Sequence, residues 1–309
     1  MSEPRIINGV VVDDTFAEAF PMKATRLVIT AHNLTWARHA AASATGFATS
    51  VIACGCEAGI ERELGPEETP DGRPGLAILI FSMSGKELAK QVERRVGQCV
   101  LTCPTTAVFA GIAEGEAIAL GKNLRFFGDG WQISKVIAGV RYWRIPVMDG
   151  EFVAQETTAV TKAVGGGNLL MLASSIETAL NAAEAAVQAM KRLPNVAMPF
   201  PGGVVRSGSK VGSKYASLGA STNDAFCPGL HGLAAKSDIT PDVHAVLEIV
   251  IDGLTDTDVG AAMLAGMHAC IAIGAAGGLL RLSAGNYGGK LGPFHFHLHK
   301  LLGEEGSTR

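Results

Sequence analysis

Two stretches of this chain, LAILIFSMSGKELAKQVERRVGQC (76–99) and LEIVIDGLTDTDVGAAMLAGMHAC (247–270), align without a gap when one is shifted by 171 positions. Matching residue types recur along the alignment, including the pairs Ile78 and Ile249, Ile80 and Ile251, and Cys99 and Cys270. In both stretches an apolar run is followed by a short polar turn and a helical segment, which is typical of a strand, a turn and a helix. The sequence therefore predicts an internal repeat.

A second alignment covers the parts of the chain that precede these stretches. Shifted by 142 positions, the segment from Leu27 lies on the segment from Leu169, and five alanines fall on alanines: Ala31, Ala37, Ala40, Ala41 and Ala44. In the first half, LVITA (27–31) predicts a strand, the next residues a helix, and SVIAC (50–54) a second strand. Because the two offsets differ, the second half carries an insertion of about thirty residues, which spans the polar stretch near 210–240.

Two strand–helix units in each half give the order β-α-β-β-α-β. This is the order of the ferredoxin-like sandwich, so we predict an α+β fold made of two ferredoxin-like lobes related by the internal repeat. We place an N-terminal (proximal) lobe at residues 1–158 and a C-terminal (distal) lobe at 159–309. Ser84 is predicted to cap the helix whose apolar stripe begins at Leu88.

The composition of the 309 residues excludes several classes of protein. The formal net charge is -3, without a basic surface for nucleic acid, so small-molecule chemistry is expected. Hydrophobic residues make up 48% and charged residues only 18%, which predicts a large buried interface in a homo-oligomer. The N-terminus lacks the basic and apolar segments of a secretory signal, and the six cysteines form no CxxC pair. We therefore predict a cytoplasmic protein with reduced thiols.

The run from Val259 to Leu280 contains no Asp, Glu, Lys or Arg and is long enough to cross a bilayer. It is rich in Gly and Ala, however, and its twin in the repeat is a charged, amphipathic helix. We therefore expect a buried helix and no association with a membrane.

Two neighbouring stretches, PFPGGVVRSGSKVGSK (199–214) and SLGASTNDAFCP (217–228), combine small hydrogen-bonding residues with three cations. Backbone amides in such turns bind anions and the cations add charge, so we predict a site for a polar, anionic ligand. The order Gly-Ser-Lys departs from a Walker A motif, and a glycine-rich surface loop with solvated lysines is the alternative. The candidate substrate-binding residues, two of them from SAGNYGGKLG (283–292), are Pro201, Gly202, Gly203, Arg206, Ser207, Lys210, Lys214, Ser221, Asn223, Asp224, Asn286 and Lys290.

Glu248 departs most sharply from the repeat, because it interrupts the apolar run VLEIVI where its twin is Ala77. A residue that differs from its symmetric twin is less needed by the fold and is a better candidate for function. A carboxyl in an apolar strand has a raised proton affinity and can act as an acid near neutral pH, so we predict a catalytic role for Glu248. The alternative is a glutamate on an exposed sheet face or paired with a lysine of the insertion.

The string HFHLH (295–299) would place three histidines, His295, His297 and His299, on one face of a strand. Three histidines are a sufficient zinc set. No carboxylate or cysteine lies near them in the sequence, however, and an exposed strand face is the commoner explanation. We predict no metal site.

Several long strings, occurring in order along nearly the whole chain, resemble one known family. They include INGVVVDDTFAEAF (7–20), ATGFATSVIACGCEAGIE (44–61), PEETPDGRPG (66–75), FFGDG (126–130), PFPGGVV (199–205), STNDAFCP (221–228), EIVIDGL (248–254) and SAGNYGGKLG (283–292). On these strings the chain resembles the formylmethanofuran–tetrahydromethanopterin N-formyltransferases. The resemblance is to the type found in methylotrophic bacteria, as a subunit of a formyltransferase/hydrolase complex.

The resemblance implies a two-lobed α+β subunit in a homotetramer, with active sites at subunit contacts and no metal or tightly bound cofactor. It implies formyl transfer between the amine of methanofuran and N5 of tetrahydromethanopterin, the two co-substrates, through a ternary complex in one-carbon metabolism. The family's catalytic glutamate falls in EIVIDGL, which places that role on Glu248, and hydrolase subunits are expected partners. The alternatives are a zinc-dependent formyl amidohydrolase that uses the three histidines, and a non-catalytic scaffold subunit of such a complex.

Overall fold

The computed structural model describes residues 5–303, in which eighteen strands and seven α-helices are found. The strands are β1 Arg5–Ile7, β2 Val10–Val12, β3 Phe16–Thr30, β4 Thr49–Ser50, β5 Cys56–Leu64, β6 Gly75–Ser82, β7 Ala107–Ala110, β8 Glu116–Ala119, β9 Ile133–Ile137, β10 Val140–Val147, β11 Gly150–Gln155, β12 Thr157–Ala173, β13 Val196–Ala197, β14 Ser209–Val211, β15 Ala220–Thr222, β16 Ala245–Gly253, β17 Leu279–Ser283 and β18 Phe294–His297. The helices are α1 Leu34–Thr45, α2 Val51–Cys54, α3 Gly85–Arg95, α4 Gly121–Leu124, α5 Ile176–Met190, α6 Asp256–Ile273 and α7 Leu298–Leu301. The chain is therefore a mixed α+β protein.

The described residues form two compact units, a middle unit of residues 22–163 and a terminal unit that combines 5–21 with 164–303. This division differs from the predicted boundary after residue 158. In the terminal unit β2 pairs in parallel with β17, and the start of β3 pairs with β18. These backbone hydrogen bonds join the N-terminal residues to the C-terminal half. Residues 1–4 and 304–309 of the predicted lobes lie outside the described residues.

The middle unit is built on an antiparallel sheet in the order β7, β3, β6, β5, with α1 and α3 as the two crossovers. Helix α1 begins after Asn33, whose side chain accepts the Trp36 N–H. Helix α3 begins after Ser84, whose hydroxyl accepts the Glu87 N–H, which confirms the predicted cap. Strands β9, β10 and β11 form an antiparallel meander that extends the sheet beside β7.

The prediction of a strand at SVIAC (50–54) is wrong. Val51–Cys54 form the short helix α2, because the Ser50 hydroxyl accepts the Ile52 N–H. Gly55 then ends the turn with a φ of 79°, a left-handed conformation that favours glycine. The strand β5 starts only after this glycine. A short apolar run is compatible with either structure, and here the cap and the glycine decide it.

The terminal unit contains a second antiparallel sheet, in the order β17, β12, β16, β13, with α5 and α6 as crossovers. The two helices approach closely at Gly266, where a Cβ would overlap the Met190 side chain. The uncharged run that begins at Val259 is the body of α6, followed by β17. Within residues 5–303, no helix has the length and hydropathy needed to cross a membrane.

Strand β16 has two faces with different surroundings. Leu247, Ile249 and Ile251 are buried with residues of α5 and α6 in the main core of the unit. The alternate residues, Val246 and Glu248 among them, point away from the helices. On that side the long connection between β13 and β16 packs over the sheet, through a small apolar cluster made of Leu170, Leu172, Ile239 and Val243.

Candidate active site

Glu248 lies in the middle of a row of paired residues that crosses the sheet of the terminal unit. Leu170 on β12 is its partner on one side, and Leu170 is paired in turn with Ser283 on β17. On the other side Val205 bonds directly to Glu248: the Val205 N–H donates to the Glu248 carbonyl at 2.7 Å, and the Glu248 N–H donates to the Val205 carbonyl at 3.0 Å. The segment after PFPGG thus runs alongside the strand that carries the glutamate.

A small cleft, partly open to solvent, lies over this row. Four predicted site residues line it: Arg206, Ser207, Asn223 and Glu248. The remaining lining residues are Leu170, Val205, Gly208, Phe226, Cys227, Val246 and Leu247. Glu248, which was identified by its departure from the repeat, therefore lines the same cleft as residues of the two polar stretches, which were identified separately.

Burial raises the pKa of the Glu248 carboxyl from 4.5 to about 7. Among residues 5–303, no group donates a hydrogen bond to this carboxyl and no cation pairs with it. No interaction therefore offsets the cost of removing the charged carboxylate from water. The lysine pairing considered as an alternative is thus not found in the described chain. A carboxyl with such a pKa exists in both protonation states near neutral pH, as a general acid and base requires.

The polar ribbon formed by β14 and β15 carries two more of the candidates, Lys210 and Ser221, and Asp224 follows shortly after it. Lys210 Nζ contacts Asp224 Oδ1 at 2.6 Å, and this hydrogen bond lowers the pKa of the Asp224 carboxyl. The Ser221 hydroxyl donates to the Gly212 carbonyl at 2.7 Å. The predicted cation Lys210 therefore already has a counter-ion, and Ser221 has a structural bond within the ribbon.

The remaining candidates do not line the cleft. Pro201 and Gly202 are exposed, as is Lys214 between β14 and β15. Gly203 is buried with a φ of 85°, and a Cβ there would press on Val187 of α5, so its role is packing on the helix side of the sheet.

Asn286 and Lys290 belong to a loop that follows β17 and that we call the Glu18 loop (residues 284–292). The Asn286 side chain donates to the Phe16 carbonyl at 3.2 Å, a contact that shapes the loop, whereas Lys290 is exposed. The loop encloses Glu18 of β3, a residue missed in the sequence analysis that is only 1% exposed.

Glu18 is held by four backbone N–H donors. Its Oε2 accepts from Tyr287 at 2.7 Å and from Gly289 at 2.8 Å, and its Oε1 accepts from Leu291 at 2.6 Å and from Gly292 at 2.7 Å. Desolvation opposes ionisation of this carboxyl, but the four hydrogen bonds outweigh it and lower its pKa to about 2. The signal that identified Glu248, a carboxylate between apolar strand residues, is also present in Ala17-Glu18-Ala19.

The three histidines are not arranged on one strand face, so that prediction is wrong. His295 and His297 are on β18, but His299 lies in α7 because the strand ends at His297. The His299 Nε2 is bonded to the Val12 carbonyl at 2.8 Å and the His295 Nε2 to the Gly292 carbonyl at 3.0 Å. In the part of the chain that the structure describes, no three His, Cys, Asp or Glu side chains are grouped as metal ligands.

Two family models match the chain. One, described as formylmethanofuran-tetrahydromethanopterin formyltransferase, covers residues 5–147, and one described as FTR, proximal lobe, covers residues 150–301. The second description attaches the word proximal to the C-terminal half, the reverse of the labels in our predicted division. Together the two matches cover almost the entire chain.

Relatives and solved structures agree with these matches. The formylmethanofuran–tetrahydromethanopterin formyltransferase of Methylococcus capsulatus is 69% identical over 297 residues, covering 96% of this chain and 99% of the relative. A chain in the crystal structure of the formyltransferase/hydrolase complex from Methylorubrum extorquens in complex with methylofuran superposes with a TM-score of 0.94 at 51% identity, covering 97% of this chain and 99% of that one. The formyltransferase from Methanosarcina barkeri gives a TM-score of 0.92 at 48% identity, covering 96% and 100%. The chain therefore belongs to the formylmethanofuran–tetrahydromethanopterin formyltransferase family and is a formyl-transferring enzyme.

Proposed function

We propose that this formyltransferase moves the formyl group between the methanofuran amine and N5 of tetrahydromethanopterin in the cleft over β16, with Glu248 as the proton carrier. The observation that carries the proposal is a carboxyl that lines a cleft, has no hydrogen-bond partner among the described residues and has a pKa raised to about 7. Both substrates bind in a ternary complex before the chemistry. Because the methanofuran amine and N5 of tetrahydromethanopterin are then held together, the formyl group can pass directly between them without a covalent nucleophile of the enzyme.

The chemistry explains the need for such a group. The attacking nitrogen forms a new bond to the formyl carbon, and the carbonyl π electrons move to oxygen. The proton lost by the attacking nitrogen passes to the Glu248 carboxylate and then to the leaving nitrogen, whose bond to carbon breaks as the carbonyl re-forms. The oxyanion of the tetrahedral intermediate needs hydrogen-bond donors, and Ser207 and Asn223 line the same cleft.

Arg206 is a cation that lines the cleft directly after Val205, the backbone partner of Glu248. We propose that it binds an anionic group of one substrate. Lys214 provides further positive charge between β14 and β15, where it attracts anionic substrates, whereas the charge of Lys210 is balanced by Asp224.

The experiment is steady-state formyl transfer by the Glu248→Gln and Glu248→Asp variants. Glutamine keeps the shape of the side chain but cannot carry a proton, so kcat is expected to fall by about 100- to 10,000-fold, whereas aspartate retains part of the activity. A wild-type kcat in the Glu248→Gln variant would exclude Glu248 as the proton carrier. A parallel assay with a chelator separates the transferase from the zinc amidohydrolase alternative, because only the latter loses activity.

We also propose that both units are ferredoxin-like lobes related by an ancient duplication. The strand orders β7, β3, β6, β5 and β17, β12, β16, β13 support it, since in both sheets the strands of the β-α-β-β-α-β unit lie in the order fourth, first, third, second. The register supports it too. Val28 pairs with Ala77, and Leu170 pairs with Glu248. The offset of 142 positions relates Val28 to Leu170, and the offset of 171 positions relates Ala77 to Glu248.

We propose in addition that the enzyme is a cytoplasmic homotetramer that associates with hydrolase subunits. Three observations support it: the match to a chain of a formyltransferase/hydrolase complex, the six free cysteines, and apolar side chains exposed on the meander. The exposed side chains are Ile133, Val136 and Ile137 of the edge strand β9, and Trp131 just before it is exposed as well. Light scattering of the purified protein measures the number of copies, and co-purification from a cell extract tests for hydrolase subunits.

A further inference from the structure

The Glu18 loop (284–292) is held rigidly beside the row that contains Glu248. At its start, the Gly285 N–H donates to Asn168 Oδ1 at 2.6 Å and the Asn168 Nδ2 donates back to the Gly285 carbonyl at 3.0 Å. Asn168 is on β12, two residues before Leu170, the cross-strand partner of Glu248. At its far end, the loop is closed by the donors from Leu291 and Gly292 to Glu18. Both ends are therefore fixed to buried side chains of the sheet.

The contacts of Glu18 and Asn168 hold the loop in one conformation. A buried carboxylate accepting four backbone hydrogen bonds, together with a buried amide bonded in both directions, fixes most of a nine-residue segment that also contains four glycines. Glycines give a loop conformational freedom, and the bonds to Glu18 and Asn168 remove it. Fixed geometry of this kind is what a catalytic group requires from its supporting residues.

Tyr287 lies in this loop, four residues after Ser283, which belongs to the same cross-strand row as Glu248. Its backbone N–H is one of the four donors to Glu18, and its ring lies 6.0 Å from the ring of Phe20, centroid to centroid. Tyr287 is 41% exposed, so the residue is accessible to a ligand. Burial of part of the side chain, followed by the nearby carboxyls of Glu248 and Glu18, raises the pKa of the phenol, which keeps it a neutral donor.

We propose that Tyr287 is a catalytic residue whose hydroxyl donates a hydrogen bond to the oxygen of the tetrahedral intermediate, while Glu18 and Asn168 act as positioning residues for the loop. This proposal rests on the formyl transfer assigned above to the cleft at Glu248. The division of labour follows from the two groups: Glu248 exchanges a proton with the nitrogens, whereas Tyr287 keeps its proton and stabilises negative charge on oxygen. Phenolic donors are established contributors of this kind in acyl-transfer sites.

The test is the Tyr287→Phe variant, which removes the hydroxyl and retains the ring beside Phe20. We expect kcat for formyl transfer to fall about 100- to 1000-fold, with less than a threefold change in KM for either substrate and an unchanged thermal unfolding midpoint. The matched control is Tyr142→Phe in the middle unit, where the ring packs on Phe109. It removes the same hydroxyl from a residue that neither lines the cleft nor belongs to the Glu18 loop, and it should keep wild-type kcat.

A Tyr287→Phe variant that folds normally and keeps kcat within threefold of wild type would overturn the assignment. An increase in KM at unchanged kcat would also overturn it, because it would make the hydroxyl a binding group only. Measuring Glu248→Gln in the same assay keeps the two ideas separate. A loss in Tyr287→Phe alone supports the tyrosine and removes the proton-carrier role, and a loss in Glu248→Gln alone does the reverse.

Positioning by Glu18 has its own readout. In Glu18→Gln the amide NH₂ cannot accept from two of the four backbone donors, so the Glu18 loop loses its fixed form. We expect kcat to fall and the amide hydrogens of Tyr287 to Gly292 to exchange faster with solvent, while exchange in the middle unit is unchanged. Loss of activity without faster exchange in this segment would contradict the positioning role.

Discussion

Replacing Glu248 with glutamine should stabilise the protein at high pH and leave its stability unchanged at low pH. Below pH 4.5 both the folded and the unfolded chain hold the proton, so the wild type and Glu248→Gln have similar free energies of unfolding. Between 4.5 and about 7 the unfolded chain releases the proton but the fold retains it. The wild type therefore loses stability relative to the variant as pH rises through this window, and the difference is constant above it.

The magnitude follows from the two pKa values. A pKa of 4.5 in the unfolded chain and about 7 in the fold correspond to about 3 kcal/mol. Because the cleft over Glu248 is partly open, solvent screening reduces the expected difference to about 2 kcal/mol. Urea unfolding of both proteins from pH 4 to 9, at one protein concentration, measures the difference directly. Glu184→Gln, at an exposed position of α5, is the matched control. A difference that does not change with pH, or that has the opposite slope, would refute the burial argument.

Three further predictions follow from contacts in the terminal unit. Glu18→Gln should lower the thermal unfolding midpoint at pH 7. The difference from the wild type should shrink as pH falls towards about 2, because the lowered pKa of Glu18 means that the ionised carboxylate stabilises the fold fully only above pH 4.5. Thermal scans from pH 2 to 7 measure this difference. Arg206→Gln removes the cation proposed to bind an anionic group in the cleft, so it should raise KM for an anionic substrate about tenfold or more at nearly unchanged kcat. Lys214→Gln, outside the cleft, is the control and should change KM less than threefold in the same assays. Gly292→Ala should cost about 1–3 kcal/mol in urea unfolding, since the new Cβ would overlap a backbone carbonyl oxygen of β3, while Gly229→Ala, with open space around it, should cost much less.

The order of the main strands and helices could be predicted from the chain because it depends on local periodicity. Ser84 precedes an amphipathic stripe that contains Leu88, and the cap formed as predicted. The apolar run SVIAC (50–54) was ambiguous, because five apolar or small residues suit a strand or a helical turn equally well. Its outcome depended on a single hydroxyl, that of Ser50, and on Gly55.

The candidate site was predictable only in part. Glu248 could be identified because the repeat provides a comparison within the same chain. Glu18 has no such comparison, and its donors are about 270 positions away in the sequence, so no pattern near it indicates four hydrogen bonds. Lys210 was predicted from its charge alone, whereas its pairing with Asp224 is a property of the folded ribbon.

The bonds between Glu18 and the Glu18 loop also bear on how the enzyme is made. The carboxylate is synthesised about 270 residues before its partners, Tyr287 to Gly292. During translation the middle unit can fold while Glu18 and the strand around it still lack their partners. The terminal unit is thus completed only after residue 292 has been made, and a chain released from the ribosome before that point lacks the loop that Glu18 holds.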